Sequence, residues 1–160
     1  GVFEGGSVSG IPVANPDMTG NNSATVYKFT KGNGSPWYSG IFHIFPADID
    51  LTQGTTFSIK FWSPKANVNV RFQLEKEGSD ASPNISVDQT VTQANTWVTL
   101  TYDFAGIIDT NNAYDKFVIF PDFDDAAQGA GDGSVYYIDD IKQIAGGDGC
   151  GENANLTQIY

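Results

Sequence analysis

The sequence predicts an all-β domain folded as a two-sheet antiparallel β-sandwich, and three observations lead there. Hydrophobic residues make up 40% and aromatic residues 13% of the 160 positions, enough apolar surface for one sizeable core in a single domain. The 18 glycines and 7 prolines are spread along the whole length, with β-branched and aromatic residues filling the gaps between them. No stretch carries a capped helical period of useful length, whereas short runs of alternating apolar and polar residues recur throughout.

Taken in order, the first clear strand covers Ala24 to Phe29, after Asn21-Asn22-Ser23 and before the turn Lys31-Gly32-Asn33-Gly34. A second runs from about Tyr38 to Phe45. Phe57 to Trp62 and Val68 to Glu75 are the best period-two alternations, and the breaker Ser63-Pro64-Lys65-Ala66-Asn67 between them predicts an antiparallel pair. After a polar loop come Ile85 to Val91, Thr96 to Phe104, Lys116 to Phe120 and Ser134 to Ile144. Short strands at this spacing argue for a sandwich. Beyond Ile144, Ala-Gly-Gly-Asp-Gly-Cys-Gly-Glu-Asn-Ala-Asn has no core-forming pattern. The domain is therefore expected over residues 1–145, with 146–160 a linker or the start of a neighbouring module.

Charge and the scarce reactive residues exclude several functions. Nineteen acidic residues, 15 of them Asp, against eight basic ones give a net charge of −11, a field that repels phosphate backbones and anionic lipid headgroups. Nucleic acid is thus an unsuitable partner. Cys150 is the sole cysteine, so neither an internal disulfide nor a thiolate metal cluster can form. One histidine, His43, does not supply the ligands that zinc catalysis needs. No apolar run reaches membrane-spanning length, and the start at Gly1 without a leader reads as an excised domain or mature fragment.

The alternation also predicts what the strands expose. With Phe57, Ile59 and Phe61 inward, Ser58, Lys60 and Trp62 share the other face; with Val68, Val70, Phe72 and Leu74 inward, Asn69, Arg71, Gln73 and Glu75 face out. The expectation is that Trp62 and Arg71 stand on one open face. Lys116, Val118, Phe120 and Asp122 extend it if Phe117 and Ile119 are core, while a slip of one residue would bury Phe120 instead. Such a surface suits sugars, because rings cover pyranose C–H faces while Arg, Gln and carboxylates bond hydroxyls. Trp62 is either a stacking platform or is covered by a loop. Trp37, in the loop Ser-Pro-Trp-Tyr-Ser-Gly, either packs or binds, and His43 is either on the open face or a satisfied structural histidine. Trp97 opens an apolar strand and reads as structural.

Two acidic features stand apart, Phe3-Glu4-Gly5-Gly6 and Tyr137-Ile138-Asp139-Asp140-Ile141. Adjacent Asp residues in a strand point to opposite faces, so one is directed at the protein and needs compensation. Calcium is one solution, held by Glu4, Asp139 and groups around Asn21 and Asn22. Solvation, or ion pairing to Lys28 or Lys142, is the other. Glycoside hydrolysis needs two carboxylates facing each other across a cleft, and the four Glu form no Glu-x-Asp-x-x-Glu pattern. One histidine also rules out arguing a Ser-His-Asp set.

These pieces carry a resemblance. Phe3-Glu4-Gly5, Asn21-Asn22-Ser23, Pro36-Trp37-Tyr38-Ser39-Gly40, Ile49-Asp50-Leu51-Thr52, the run from Trp97 to Phe104 and Tyr136 to Ile141 together resemble carbohydrate-binding modules related to families 4, 9, 16 and 22. Similar modules are appended to laminarinases and surface glycan-binding proteins of marine Bacteroidota. Over residues 1–145 the resemblance implies a jelly roll with a structural calcium at Glu4 and Asp139, and a concave-face glycan site on the strands carrying Trp62 and Arg71. It implies a secreted or cell-surface, non-catalytic, monomeric module of a larger protein, binding a polysaccharide and not inserting in membranes. β-1,3-Glucan (laminarin) is the first expected ligand. An anionic glycan such as alginate is the second, because Lys60, Arg71 and Lys116 are placed on one face. A jelly-roll polysaccharide-degrading enzyme and an adhesion or spacer domain without a sugar site are the competing classes.

Overall fold

A computed structural model describes residues 1–78, 84–109 and 111–146, with backbone alone at residues 8–12. Ten strands form in chain order: β1 Val2–Phe3, β2 Gly6–Ala14, β3 Thr25–Lys31, β4 Gly40–Ile44, β5 Thr56–Trp62, β6 Val68–Glu75, β7 Ile85–Val91, β8 Trp97–Asp103, β9 Lys116–Pro121 and β10 Val135–Ile144. The one helical element described is a 3-10 turn, Leu51–Gln53, capped by the Asp50 carboxylate. The chain is the expected two-sheet antiparallel jelly-roll sandwich: a first sheet in the order β1-β4-β9-β6-β7 and a second in the order β2-β3-β10-β5-β8. Of the segment foreseen as a linker, 146–160, all but Gly146 lies outside the described residues.

The short β1 and the longer β2 were not foreseen, and one pairing expectation is corrected. β5 does not pair with β6: it lies between β10 and β8 in the second sheet, while β6 lies between β9 and β7 in the first. Only β2–β3 and β6–β7 join neighbours within a sheet, so nearly every loop crosses from one sheet to the other. The physical reason is that alternation reports which side chains face the core, and that pattern is the same in either sheet.

The alternation itself holds. Phe57, Ile59 and Phe61 from β5 meet Val70, Phe72 and Leu74 from β6 in one core, each 1% exposed or less. Phe72 sits at its middle, stacked on Phe57 at 5.4 Å and in ring contact with Tyr102 and Phe117 at 5.2 and 5.5 Å. Truncating such a ring to Ala costs on the order of 3–5 kcal/mol.

In β10 a bulge separates the adjacent acids. The register with β5 shifts between Asp139 and Lys142, and Asp140 takes the left-handed conformation (φ 54°). The extra residue keeps Ile141 in the core at 3% exposure and leaves Asp139 opposite Lys60 on the outer face.

On the acid side, hydrogen bonds from Ser134 and the Lys65 ammonium hold the Asp132 carboxyl down to about 2. The folded value lies below the ordinary 3.8, so the stabilisation is complete above 3.8 and is lost as pH falls from there towards 2. The urea midpoint of unfolding is therefore expected to drop across that range, and Asp132→Asn to make the drop shallower. A profile that the substitution leaves unchanged contradicts this assignment.

Candidate functional site

The outer face of the first sheet carries a second, smaller apolar cluster. Val118 and Phe120 point outward from β9, and Phe123 folds back over them from the following turn; all three are buried, with Phe3, Trp37 and Phe42 packed around them. Phe123 is carried there by Asp122, whose backbone is left-handed (φ 55°), a conformation a non-glycine residue holds only when its surroundings impose it. The Phe123 N–H then donates to the Asn69 carbonyl of β6 at 2.9 Å. Phe123 is the hub of the face. The Trp37 ring meets it at 4.9 Å, the Phe120 ring at 5.5 Å, and the Arg71 guanidinium lies 3.8 Å from its centroid.

What holds the loops in this position is a buried lysine. Lys31, at the end of β3, is 1% exposed, and its ammonium donates to the main-chain carbonyls of Trp37, Pro121 and Asp122. A charge removed from water is tolerable only with its donors satisfied, and here all three are. Burial pushes the Lys31 pKa down, while the Asp122 charge works against that shift. Asp122 contributes its side chain as well, accepting from Lys65 and from the Tyr136 hydroxyl. Nearby, Gly34 N–H donates to the Gly131 carbonyl and Gly131 N–H to the Ser35 carbonyl. A Cβ on Gly131 would lie 2.3 Å from both the Gly32 carbonyl oxygen and Ser35 Oγ, so only glycine permits this approach.

The polar half of the face is paired internally. Arg71 donates from Nε and a terminal nitrogen to both Asp88 oxygens, at 2.7 and 2.9 Å, and Asp88 stands directly opposite it on β7. Asp88 holds the guanidinium pKa above its ordinary value. Gln73 donates to Glu75, while Lys116 bridges Glu75 and Glu77 and lies 5.0 Å from the Phe42 ring centroid. Trp37 is half-buried and its neighbour Tyr38 is 38% exposed, the two rings edge-on at 5.1 Å. A planar, doubly held guanidinium beside partly exposed rings can stack on an apolar ligand face and donate to its hydroxyls without further ordering.

Of the residues foreseen for an open face, Arg71, Gln73 and Trp37 share this surface. Trp62 and Lys60 do not: they stand on the outer face of the second sheet, on the opposite side of the sandwich, because β5 and β6 belong to different sheets. Phe120 does point outward, but it is 8% exposed and forms the floor beneath other side chains. His43 pairs with Phe117, a core position, and its ring packs on Phe45 and Phe117 at 4.8 and 5.8 Å. It therefore sits on the inner side of its strand, where burial pushes its pKa down. Trp97 is structural, 7% exposed, with its indole N–H donating to Asn15 and to the Asp17 carbonyl.

The expected metal set does not assemble. Glu4 lies in the turn before Gly6, which pairs with Lys31, whereas Asp139 follows Ile138, which pairs with Tyr27. Tyr27 and Lys31 are roughly 13 Å apart along an extended strand. The Asp139 carboxylate, nearly buried, accepts from the Asn21 side chain at 2.8 Å, Asn22 is exposed, and Asp140 pairs with Lys142. Among the described residues no group of three or more His, Cys, Asp or Glu could hold a metal ion. Glu4, Asn22 and Asp139 thus do not fit a shared calcium.

Sequence reading missed Phe3, Phe42, Phe123, Lys31 and Asp88. Asp88 was legible, since the alternation of β7 places it outward. Phe123 was not, because its position depends on a left-handed residue in a turn.

No protein-family model matches the chain, and no curated protein matches it. Solved structures do. A family 11 carbohydrate-binding module from Clostridium thermocellum, in complex with a β-1,3-1,4-mixed-linked tetrasaccharide, is 15% identical, with 90% of this chain and 86% of that one covered at a TM-score of 0.57. The family 11 module of the cellulosomal cellulase Lic26A-Cel5E of the same organism is 14% identical, with 91% and 85% covered and a TM-score of 0.57. The similarity is one of fold.

Lys31→Met leaves the three carbonyls without their donor. The expected loss is on the order of 3 kcal/mol of unfolding free energy, read by urea denaturation, with a shift in tryptophan emission as Trp37 loosens. A loss under about 0.5 kcal/mol, the range of ordinary surface changes, contradicts the tethering role.

Proposed function

We propose that the chain is a non-catalytic carbohydrate-binding module that holds an uncharged polysaccharide on the outer face of the first sheet. A β-glucan is the ligand class, with β-1,3-linked laminarin first. The observation that carries this reading is the arrangement around Phe123: the Arg71 guanidinium clamped by Asp88, Gln73 two residues along β6, and Trp37 and Tyr38 reaching solvent beside them. Aromatic faces cover the apolar side of a pyranose, and fixed polar groups orient its hydroxyls. The fold shared with a module solved on a β-1,3-1,4 tetrasaccharide supports the same ligand class. In this reading the domain acts outside the cell as one monomeric part of a larger, secreted or surface-attached protein.

Charge on this face argues against an acidic chain as its ligand. Arg71 and Lys116 are matched by Asp88, Glu75 and Glu77, with Asp125 a further 4.0 Å from Arg71, so the surroundings are net negative. The same pairing argues against hydrolysis. Cleavage needs two free carboxylates facing a glycosidic bond, and here Glu75, Glu77 and Asp88 are each already engaged with a cation.

Affinity electrophoresis against laminarin, mixed-linkage β-glucan, xylan and agarose tests the proposal. Retardation by a β-glucan is expected, with no reducing ends released on incubation, and Trp37→Ala or Arg71→Ala should weaken binding about tenfold or more. Retardation by none of these polysaccharides, or full binding by both variants, would overturn it.

A further inference from the structure

The outer face of the second sheet carries a different chemistry. Across β3, β10 and β5, Lys28 pairs with Tyr137 and Tyr137 with Trp62, so the three side chains form one row. The Tyr137 and Trp62 rings touch at 5.4 Å and both remain partly exposed. Lys60 stands two residues along β5 from Trp62 on the same side, opposite Asp139 on one flank and Thr99 on the other.

Of the eight basic residues, five are in ion pairs with acidic side chains and Lys31 is enclosed by carbonyls. The remaining two are Lys28 and Lys60. Among the described residues neither makes an ion pair, in a protein with 19 acidic side chains. That both fall on one face, flanking two aromatic rings, singles the surface out. Asp139, which stands opposite Lys60, is 7% exposed and accepts from Asn21, and Lys142 in the next outward-facing row is occupied by Asp140. The indole nitrogen of Trp62 is itself buried, so what this residue offers to a ligand is the exposed part of its ring.

We propose that this face is a second glycan site, distinct from the first-sheet surface, and that it takes an acidic polysaccharide whose sugar rings lie on Trp62 and Tyr137 while carboxylate or sulfate groups meet Lys28 and Lys60. The two ammonium-bearing residues are roughly 12 Å apart from strand spacing and rise, so they address separate sugar units of one chain. The overall field of the protein opposes a polyanion, but it is screened beyond about 8–10 Å at moderate salt, whereas cations in contact with the ligand are not. The proposal rests on the protein being a glycan binder, and its test is arranged so that the two readings fail separately.

Affinity electrophoresis on alginate, a carboxylated chain, and on carrageenan, a sulfated one, is compared with laminarin for the native chain, the double variant Lys28→Gln/Lys60→Gln, and Arg71→Ala. Retardation by at least one acidic polysaccharide is expected, reduced at least tenfold by the double lysine variant, unaffected by Arg71→Ala, and weakening as salt is raised. Laminarin should show the reverse dependence on the variants. The lysine changes are at partly exposed positions and keep an unbranched polar side chain, so thermal melts should match the native protein. No retardation by either acidic polysaccharide, or retardation lost with Arg71→Ala and kept in the lysine variant, overturns the second site while leaving the first-sheet reading intact. Loss of laminarin binding alone overturns the first and leaves the second.

Discussion

Three main-chain oxygens surround the Lys31 ammonium, and through them the end of β3 holds the loop bearing Trp37 and the turn after β9 in one position. A positive charge gathers carbonyl dipoles that would otherwise point into an apolar interior, and because the charge is on a side chain of β3 it fixes both loops to that strand. Everything on the outer face of the first sheet follows from it. Asp122 turns left-handed, Phe123 is laid over β6, Trp37 packs against Phe123, and Arg71 stacks on the same ring while Asp88 holds it flat.

The sandwich was legible in the sequence because burial on one side only writes a period of two, and β5, β6, β7, β9 and β10 stand almost where that period puts them. What the period cannot carry is sheet membership. Trp62 and Arg71 both face outward as read, yet they look in opposite directions, since the five residues between β5 and β6 cross the sandwich instead of turning back in a hairpin. His43 went to the inner side for a related reason: Phe42, His43 and Ile44 alternate, but either phase puts an aromatic or apolar residue outward, so pattern alone does not choose. The structure chooses by giving Phe42 to the second cluster.

Phe120 shows another limit. Its outward direction was right, but a strand pattern has no means of showing that another layer of side chains lies above it, and that layer comes from β1, from the loop of Trp37 and from Phe123. Lys31 is the harder case. Nothing in Lys-Phe-Thr-Lys distinguishes a lysine that is 1% exposed from one in solvent, because the carbonyls that receive it lie 6, 90 and 91 residues away. The pairing of charges across the two faces is likewise a product of topology: it leaves the first-sheet surface balanced towards negative and puts on the other the two lysines that make no ion pair among the described residues.

Where a neutral glycan lies decides which of the two faces binds it. Amide chemical-shift mapping of the labelled protein during titration with a laminarin oligosaccharide reads this directly. The shifts are predicted to cluster on Trp37, Arg71, Gln73 and Phe123, with the Trp37 indole N–H among the largest, while Trp62 and Lys60 stay in place. Perturbations confined to the second sheet's outer face, or to the loops at the ends of the sandwich, would contradict it.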